Sequence, residues 1–389
     1  MSSIIYLDNH ATTPCDPRVL EVMLPFFTHR FGNASSLHAF GEDVTLPIEK
    51  ARIQVATLLN ASPNEIIFTS GATESNNIAI LGVAHQHKHV GGLRRRIVTT
   101  VVEHKAVLGP CDKLAEEGEW EIIYLPVDKF GQISLAEAEH VITDETLLVT
   151  IQVANSEIGT IQPITALAEI AHKVGALIHC DAAQAVGKIN VNVEEWDIDL
   201  LSLSGHKIYG PKGIGALWLR GGTSQLNLKS PIRGGSQEGG LRPGTLPVPL
   251  VIGLGEACFL CTKELKDEFN RVTSLRNQLE QKLLMKLSGR LFQNGSLDNR
   301  LPHNSSLCFT GIEAEMLLAN LPELAISTGA ACESGSLEPS RVLISLGLSR
   351  DDANSTLRFG LGRFTTSQEI DRTIELILAA YEHIQQLIQ

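Results

Sequence analysis

The chain has 389 residues, and 44 acidic against 32 basic side chains leave a formal charge of −12. Apolar residues at 43% supply a full core and charged residues at 20% are too few for a disordered chain, so a soluble globular protein is expected, of two or three folding units or of one large α/β unit with a smaller partner. An acidic balance without a long Lys/Arg block argues against nucleic acid or an anionic membrane as main partner, because both attract clustered positive charge.

The first six residues lack the basic-then-apolar pattern of a secretory signal. The most apolar long stretch, 246–260, is interrupted by Pro247, Pro249 and Glu256 and is shorter than the roughly 20 residues of a membrane helix, so a cytoplasmic location is expected. Seven cysteines scattered over the chain suit reduced thiols better than a disulfide framework. Cys258 and Cys261 form a CxxC inside an apolar helical pattern; without a second CxxC or paired His they read as core, and no metal site is expected.

In chain order, short β-branched runs at 65–69, 97–102, 147–151, 176–180 and 199–203 read as buried strands, and patterns such as 164–174 between them as amphipathic helices. The triplet Arg94-Arg95-Arg96 reads as the solvated start of one strand. This alternation predicts an α/β fold with a mostly parallel sheet covered by helices. After about residue 246 a long helical stretch runs to 287, strands follow at 306–310 and 324–328, and a Thr366-Ser367-Gln368-Glu369 capping box opens a last helix. A large domain over 15–260 and a smaller α+β domain built from 1–14 and 261–389 are expected. The Gly-rich stretch 233–245 reads as a functional loop.

Lys207, in SGHKIYGPKG, follows a buried strand, and the carboxyl ends of parallel strands are where such sheets bind ligands. An amine there can form a Schiff base with an aldehyde, pyridoxal phosphate being the common partner; the bland reading is a surface lysine beside glycines. Asp181 ends another strand and could hold a pyridine nitrogen protonated, with Gln184 three residues on, or could simply cap the next helix. The turn Thr69-Ser70-Gly71-Ala72-Thr73 opens a helix and offers backbone N–H groups, the helix dipole and a hydroxyl to an anion, though many capped helices share that pattern. His104 lies past a further strand end, where an imidazole could stack on a flat ring or simply pack.

These pieces, together with DNHATTP at 8–14, GNASS at 32–36, FTSGATESNN at 68–77, EHKAVL at 103–108 and GTLPV at 244–248, resemble the NifS/IscS-like cysteine desulfurases of the class V aminotransferase family, in order from residue 4 to about 388. The resemblance implies the fold type I architecture of pyridoxal 5'-phosphate enzymes. It implies that Lys207 binds the cofactor aldehyde, Asp181 pairs with the pyridine nitrogen, His104 stacks on the ring and Gln184 meets the ring oxygen. Ala72, Thr73, Ser204 and His206 would hold the phosphate, and Thr245 would reach in from the other subunit of a homodimer. Arg358 matches the substrate-carboxylate arginine, with Asn33 nearby; without the resemblance a structural salt bridge is the better reading of Arg358.

The resemblance further implies that Cys332, set among small residues in STGAACESGSLEPS, takes sulfur from L-cysteine as a persulfide and leaves L-alanine. His104 would move a proton on or off the substrate thiol. A sulfur acceptor or iron–sulfur scaffold protein would then receive the sulfur for cluster or thio-cofactor synthesis, with Cys332 able to ligate a cluster transiently. Two departures stand out. Ser156 follows Asn155 where the family pairs two asparagines, leaving either residue to meet the cofactor. The chain ends at Gln389, before the C-terminal extension that housekeeping members use to dock their scaffold, so that docking is not carried over. Competing readings are a selenocysteine lyase or plain aminotransferase, which do not depend on Cys332, and a catalytically silent sulfur-relay subunit.

Overall fold

The computed structural model describes residues 4–328 and 338–388. Cys332 lies outside the described residues. A seven-stranded sheet forms the centre of the molecule. From edge to edge its strands are Ile66–Thr69, Gly215–Leu219, Leu200–Ser204, Leu177–Asp181, Thr146–Gln152, Arg96–Thr100 and Glu121–Leu125. All are parallel except Gly215–Leu219, which runs against both its neighbours. The five strands expected from β-branched runs form within a residue or two of their predicted limits. Glu121–Leu125, at the sheet edge, and Gly215–Leu219 were not predicted.

Alternation along the strands divides the core. Val98, Val149, Ile178, Leu201 and Trp218 pack into one apolar cluster, whereas Ile97, Leu148, Leu200, Leu217 and Leu219 pack into another. Successive side chains point to opposite faces of a sheet, so near-continuous apolar runs are what a strand covered on both sides requires. The triplet Arg94 to Arg96 is half-buried rather than solvated. The Arg94 guanidinium donates to the carbonyls of Thr146, Val174 and Gly175, and Arg95 lies over the Trp120 ring at 5.2 Å.

The helix Val248–Lys286, 39 residues long, ties two cores together. Its first half buries Val251, Leu254, Ala257, Cys258 and Cys261 against the large sheet's layer, and its second half buries Val272, Leu275, Leu279 and Leu283 in a separate cluster. The CxxC pair is therefore core packing, and burial pushes both thiols above their ordinary range. The second cluster is covered by an antiparallel sheet ordered Ser327–Thr328, Thr356–Gly360, Asn304–Phe309, Leu291–Gln293 and by the helix Ser367–Ile388. The expected capping box is present at Thr366: its N–H donates to Glu369 Oε2 at 2.8 Å, and Glu369 N–H donates to Thr366 Oγ1 at 3.2 Å. The N-terminal strand Ile5–Tyr6 joins this side, parallel to Leu324–Ala325. Among the described residues no helix is long and apolar enough to cross a membrane.

Candidate active site

The strand ends of the large sheet open into a cavity of about 500 Å³, within the size range of cofactor sites. Several segments line it. The helix Ala72–His89 brings Ala72 and Thr73, the segment before helix Lys105–Glu116 brings His104, and strand Leu177–Asp181 with its following turn brings Asp181 and Gln184. Strand Leu200–Ser204 and the short turn Gly205–Lys207 bring Ser204, His206 and Lys207. Residues that the sequence scatters over more than 130 positions thus face one space because parallel strands present the same end to it.

At one end, the helix N-terminus at Ala72 offers backbone N–H groups without intrahelical acceptors. The approach is tight: a Cβ on Gly215 would lie 2.6 Å from the Gly71 Cα, and Gly71 itself has φ 149°, a conformation that disfavours side chains. His206 Nδ1 lies 3.1 Å from the Thr12 hydroxyl, and burial, helped by Lys207 and Lys212, pushes its pKa down to about 4. The ring is therefore neutral near pH 7, with Nδ1 paired to the Thr12 hydroxyl.

At the other end, Asp181 is 6% exposed. Asn76 Nδ2 donates to its Oδ2 at 2.8 Å and Ala183 N–H to its Oδ1 at 3.0 Å, which fixes the carboxylate plane. Behind it lies Glu103, wholly buried, whose carboxyl accepts from Gln152 N–H at 2.9 Å and from the Thr100 hydroxyl at 2.9 Å; burial first, and Asp181 to a lesser degree, push its pKa up to about 8. His104 caps its helix, its Nδ1 accepting from Ala106 N–H at 3.0 Å, so the ring's proton sits on Nε2. Lys207 Nζ donates to the His10 carbonyl and, at 3.0 Å, to the Ala11 carbonyl.

Four expected residues are not among the described residues that line the cavity: Asn33, Asn155, Thr245 and Arg358. Asn155 is used up by its own loop, donating to Val102 O at 3.0 Å and accepting from the N–H groups of Glu157 and Ile158. Ser156 lines the cavity instead. Thr245 is exposed. Arg358 is 2% exposed and already engaged: Nη2 meets Asp8 Oδ1 at 2.9 Å and Ser327 Oγ at 2.8 Å, Nη1 meets the Ser156 carbonyl at 3.3 Å, and Nε is without a partner. Sequence reasoning gave no role to Thr12, Gln152 or Lys212, which line the cavity. Thr12 and Lys212 fall inside motifs already singled out, and Gln152 is one residue past a predicted strand end.

A family model for class-V aminotransferases matches residues 5–373. The chain belongs to that family. Cysteine desulfurase IscS of Rickettsia akari (strain Hartford) is 46% identical over 384 residues, 98% of this chain and 92% of the relative, which places the chain among the cysteine desulfurases. Among solved structures, a NifS-like protein superposes with TM-score 0.89 at 36% identity, covering 98% of this chain and 99% of its own. A structure of SspA in complex with cysteine superposes with TM-score 0.81 at 37% identity, covering 93% and 99%. The type I fold expected from the motifs is therefore the observed one.

Proposed function

We propose that this desulfurase holds pyridoxal 5'-phosphate in the cavity, converts L-cysteine to L-alanine, and carries the released sulfur as a persulfide on Cys332 for iron–sulfur cluster or thio-cofactor synthesis. The observation that carries this reading is the spacing of unlike groups around one space: an anion-ready helix N-terminus with Thr73, Ser204 and neutral His206 at one end, a fixed Asp181 carboxylate at the other, and Lys207 between. That donor set fits a flat ring with a phosphate on one side and a basic nitrogen on the other. The bound cofactor would act as an electron sink for charge developing at the substrate's α-carbon.

The chain's own residues do the rest. Lys207 would anchor the cofactor covalently and, once released, take the α-proton of cysteine; its two carbonyl acceptors hold Nζ at the cavity wall. Asp181 would keep a ring nitrogen protonated. His104, with its proton on Nε2, would give that proton to the reacting sulfur and could take it back once Nε2 is free. Ser156 would meet the cofactor in place of an asparagine. Arg358, with Asn33, would take the substrate carboxylate, its guanidinium fork suiting two parallel hydrogen bonds.

A homodimer is part of this reading. Leu24, Phe27, Phe31, Leu37, Phe40 and Leu46 are each more than half exposed, from 54% to 98%, and so much apolar surface on neighbouring segments suits a second copy. It would also give exposed Thr245 a partner's site to complete. The two cores joined by helix Val248–Lys286 support the division into 15–260 and 1–14 plus 261–389.

The deciding test is Cys332→Ala. The variant should keep the bound cofactor's visible absorbance but lose sulfide release and the added mass of one sulfur after exposure to cysteine. Unchanged turnover would sink the reading and favour a lyase that needs no protein thiol.

A further inference from the structure

Gln184 is a cavity residue whose amide is held at both its ends, and what holds it lies outside the cofactor reading. Its Nε2 donates to the His10 carbonyl at 3.1 Å, and its Oε1 lies 3.0 Å from His10 Nδ1. A backbone carbonyl only accepts, so the NH2 end of the amide must face it and the oxygen must face the ring. His10 Nδ1 must therefore carry a proton.

The other ring nitrogen gives the same answer independently. Asn304 Nδ2 lies 3.2 Å from the Glu157 carbonyl, which again fixes the NH2 end, and 3.1 Å from His10 Nε2. Nε2 therefore accepts. His10 is 1% exposed and stacks on His303 at 4.3 Å between ring centroids, so the ring is shielded from bulk solvent. Burial lowers its pKa well below the ordinary value, with the cations Arg358, Lys207 and Lys188 acting in the same direction against the Gln184 hydrogen bond. Both hydrogen-bonding geometry and charge leave the ring neutral.

We propose that His10, locked as its neutral Nδ1–H tautomer by Asn304, is a positioning residue that fixes the Gln184 amide so that an N–H, and not the carbonyl oxygen, is presented to the cavity. The lock spans the molecule: Asn304 begins a strand of the small sheet, His10 belongs to the N-terminal segment, and Gln184 follows the end of a large-sheet strand. One of the two Gln184 N–H groups is spent on the His10 carbonyl, which leaves the second as a donor. On the cofactor reading, from which this step takes its ligand, that donor meets the ring oxygen and favours its deprotonated form. A flipped amide would aim a carbonyl oxygen at the same place and repel it.

Two measurements test this. In protein carrying 15N-labelled histidine, without added cofactor, His10 should show a protonated Nδ1 and an unprotonated Nε2 that do not change from pH 6 to 9. A proton on Nε2 in that range overturns the proposal, whatever becomes of the cofactor reading. In the holoenzyme, His10→Phe keeps the stacked ring but frees Gln184, and Asn304→Leu frees the His10 tautomer. Either should raise the midpoint pH of the cofactor's visible absorbance change by about 0.5 to 1 unit, the size of one hydrogen bond. In a Gln184→Ala background the same changes should add nothing, because His10 acts through Gln184. Additive shifts, or no shift in the single variants, overturn the positioning role. A protein that takes up no pyridoxal phosphate overturns the cofactor reading, and the 15N result still decides the tautomer.

Discussion

The two sides of the active-site region satisfy their polar groups in opposite ways. On the large-sheet side, Thr73, Asp181, His104, His206 and Lys207 all face the cavity, and their supporting contacts come from behind: Asn76 on Asp181, Ala106 N–H on His104, Thr12 on His206. On the small-sheet side, Arg358 has turned inward. Its charge is met by Asp8, its second donor by Ser327 and its third by a backbone carbonyl. The first arrangement leaves its groups facing open space, with the Lys207 amine held by the His10 and Ala11 carbonyls, which it must leave to meet a ligand. On the proposed reading the second must exchange a partner before a substrate carboxylate can bind, and leaving a buried charge uncompensated costs about 3–5 kcal/mol. On that reading the site is ordered for its cofactor and closed to its substrate at once.

The largest effect should come from breaking the open side at its centre. On the proposed roles Lys207→Ala removes both the covalent anchor and the proton acceptor, so cysteine turnover should fall on the order of 10²–10⁴-fold and the visible absorbance of the bound cofactor should be lost. A normal absorbance after this change would show that the sheet side receives some other ligand.

A smaller effect, on the closed side, should separate binding from turnover. Arg358→Lys keeps the charge that Asp8 requires but loses the planar fork. The KM for cysteine should rise about 10-fold or more, the scale of one or two charge-assisted hydrogen bonds, while kcat changes less. If kcat falls and KM does not, Arg358 serves as a structural partner of Asp8, and the contrast between the two sides becomes one of ligand site against framework.

The two sides also differed in how far they could be read from sequence. Lys207, Asp181 and His104 stand one to four residues past strands whose apolar runs are plain in the sequence, and strand polarity then does the work of bringing them together. Glu121–Leu125, an edge strand with residues such as Tyr124 partly exposed, escaped because its apolar run is only four residues long. Gly215–Leu219 follows so soon after the Lys207 motif that no helix separates it from its neighbour, and its direction is antiparallel for that reason. On the closed side, the partner of Arg358 is 350 positions away at Asp8, and no local pattern announces such a pair. The open choice between Asn155 and Ser156 was of the same kind. The Asn155 side chain is claimed by the N–H groups of Glu157 and Ile158, a contact that no sequence pattern announces.

The smallest effect on turnover, and the sharpest reading of why the sheet side carries Asp181 as it does, concerns Glu103. Its folded pKa of about 8 lies above an unfolded value near 4.5. Below about pH 4.5 both states hold the proton and the group contributes its full stability. As pH rises to about 8 the unfolded chain gives up a proton that the folded one keeps, so stability falls by about 1.4 kcal/mol per pH unit, and above that range it levels off. Glu103→Gln keeps an acceptor for Gln152 N–H and cannot ionise. Its stability in chemical denaturation should therefore gain on the wild type steadily between pH 5 and 8, with cofactor absorbance and turnover nearly unchanged. Parallel stability curves would mean that Glu103 is charged beside Asp181, and that the open side tolerates two buried carboxylates where the closed side neutralises its single arginine.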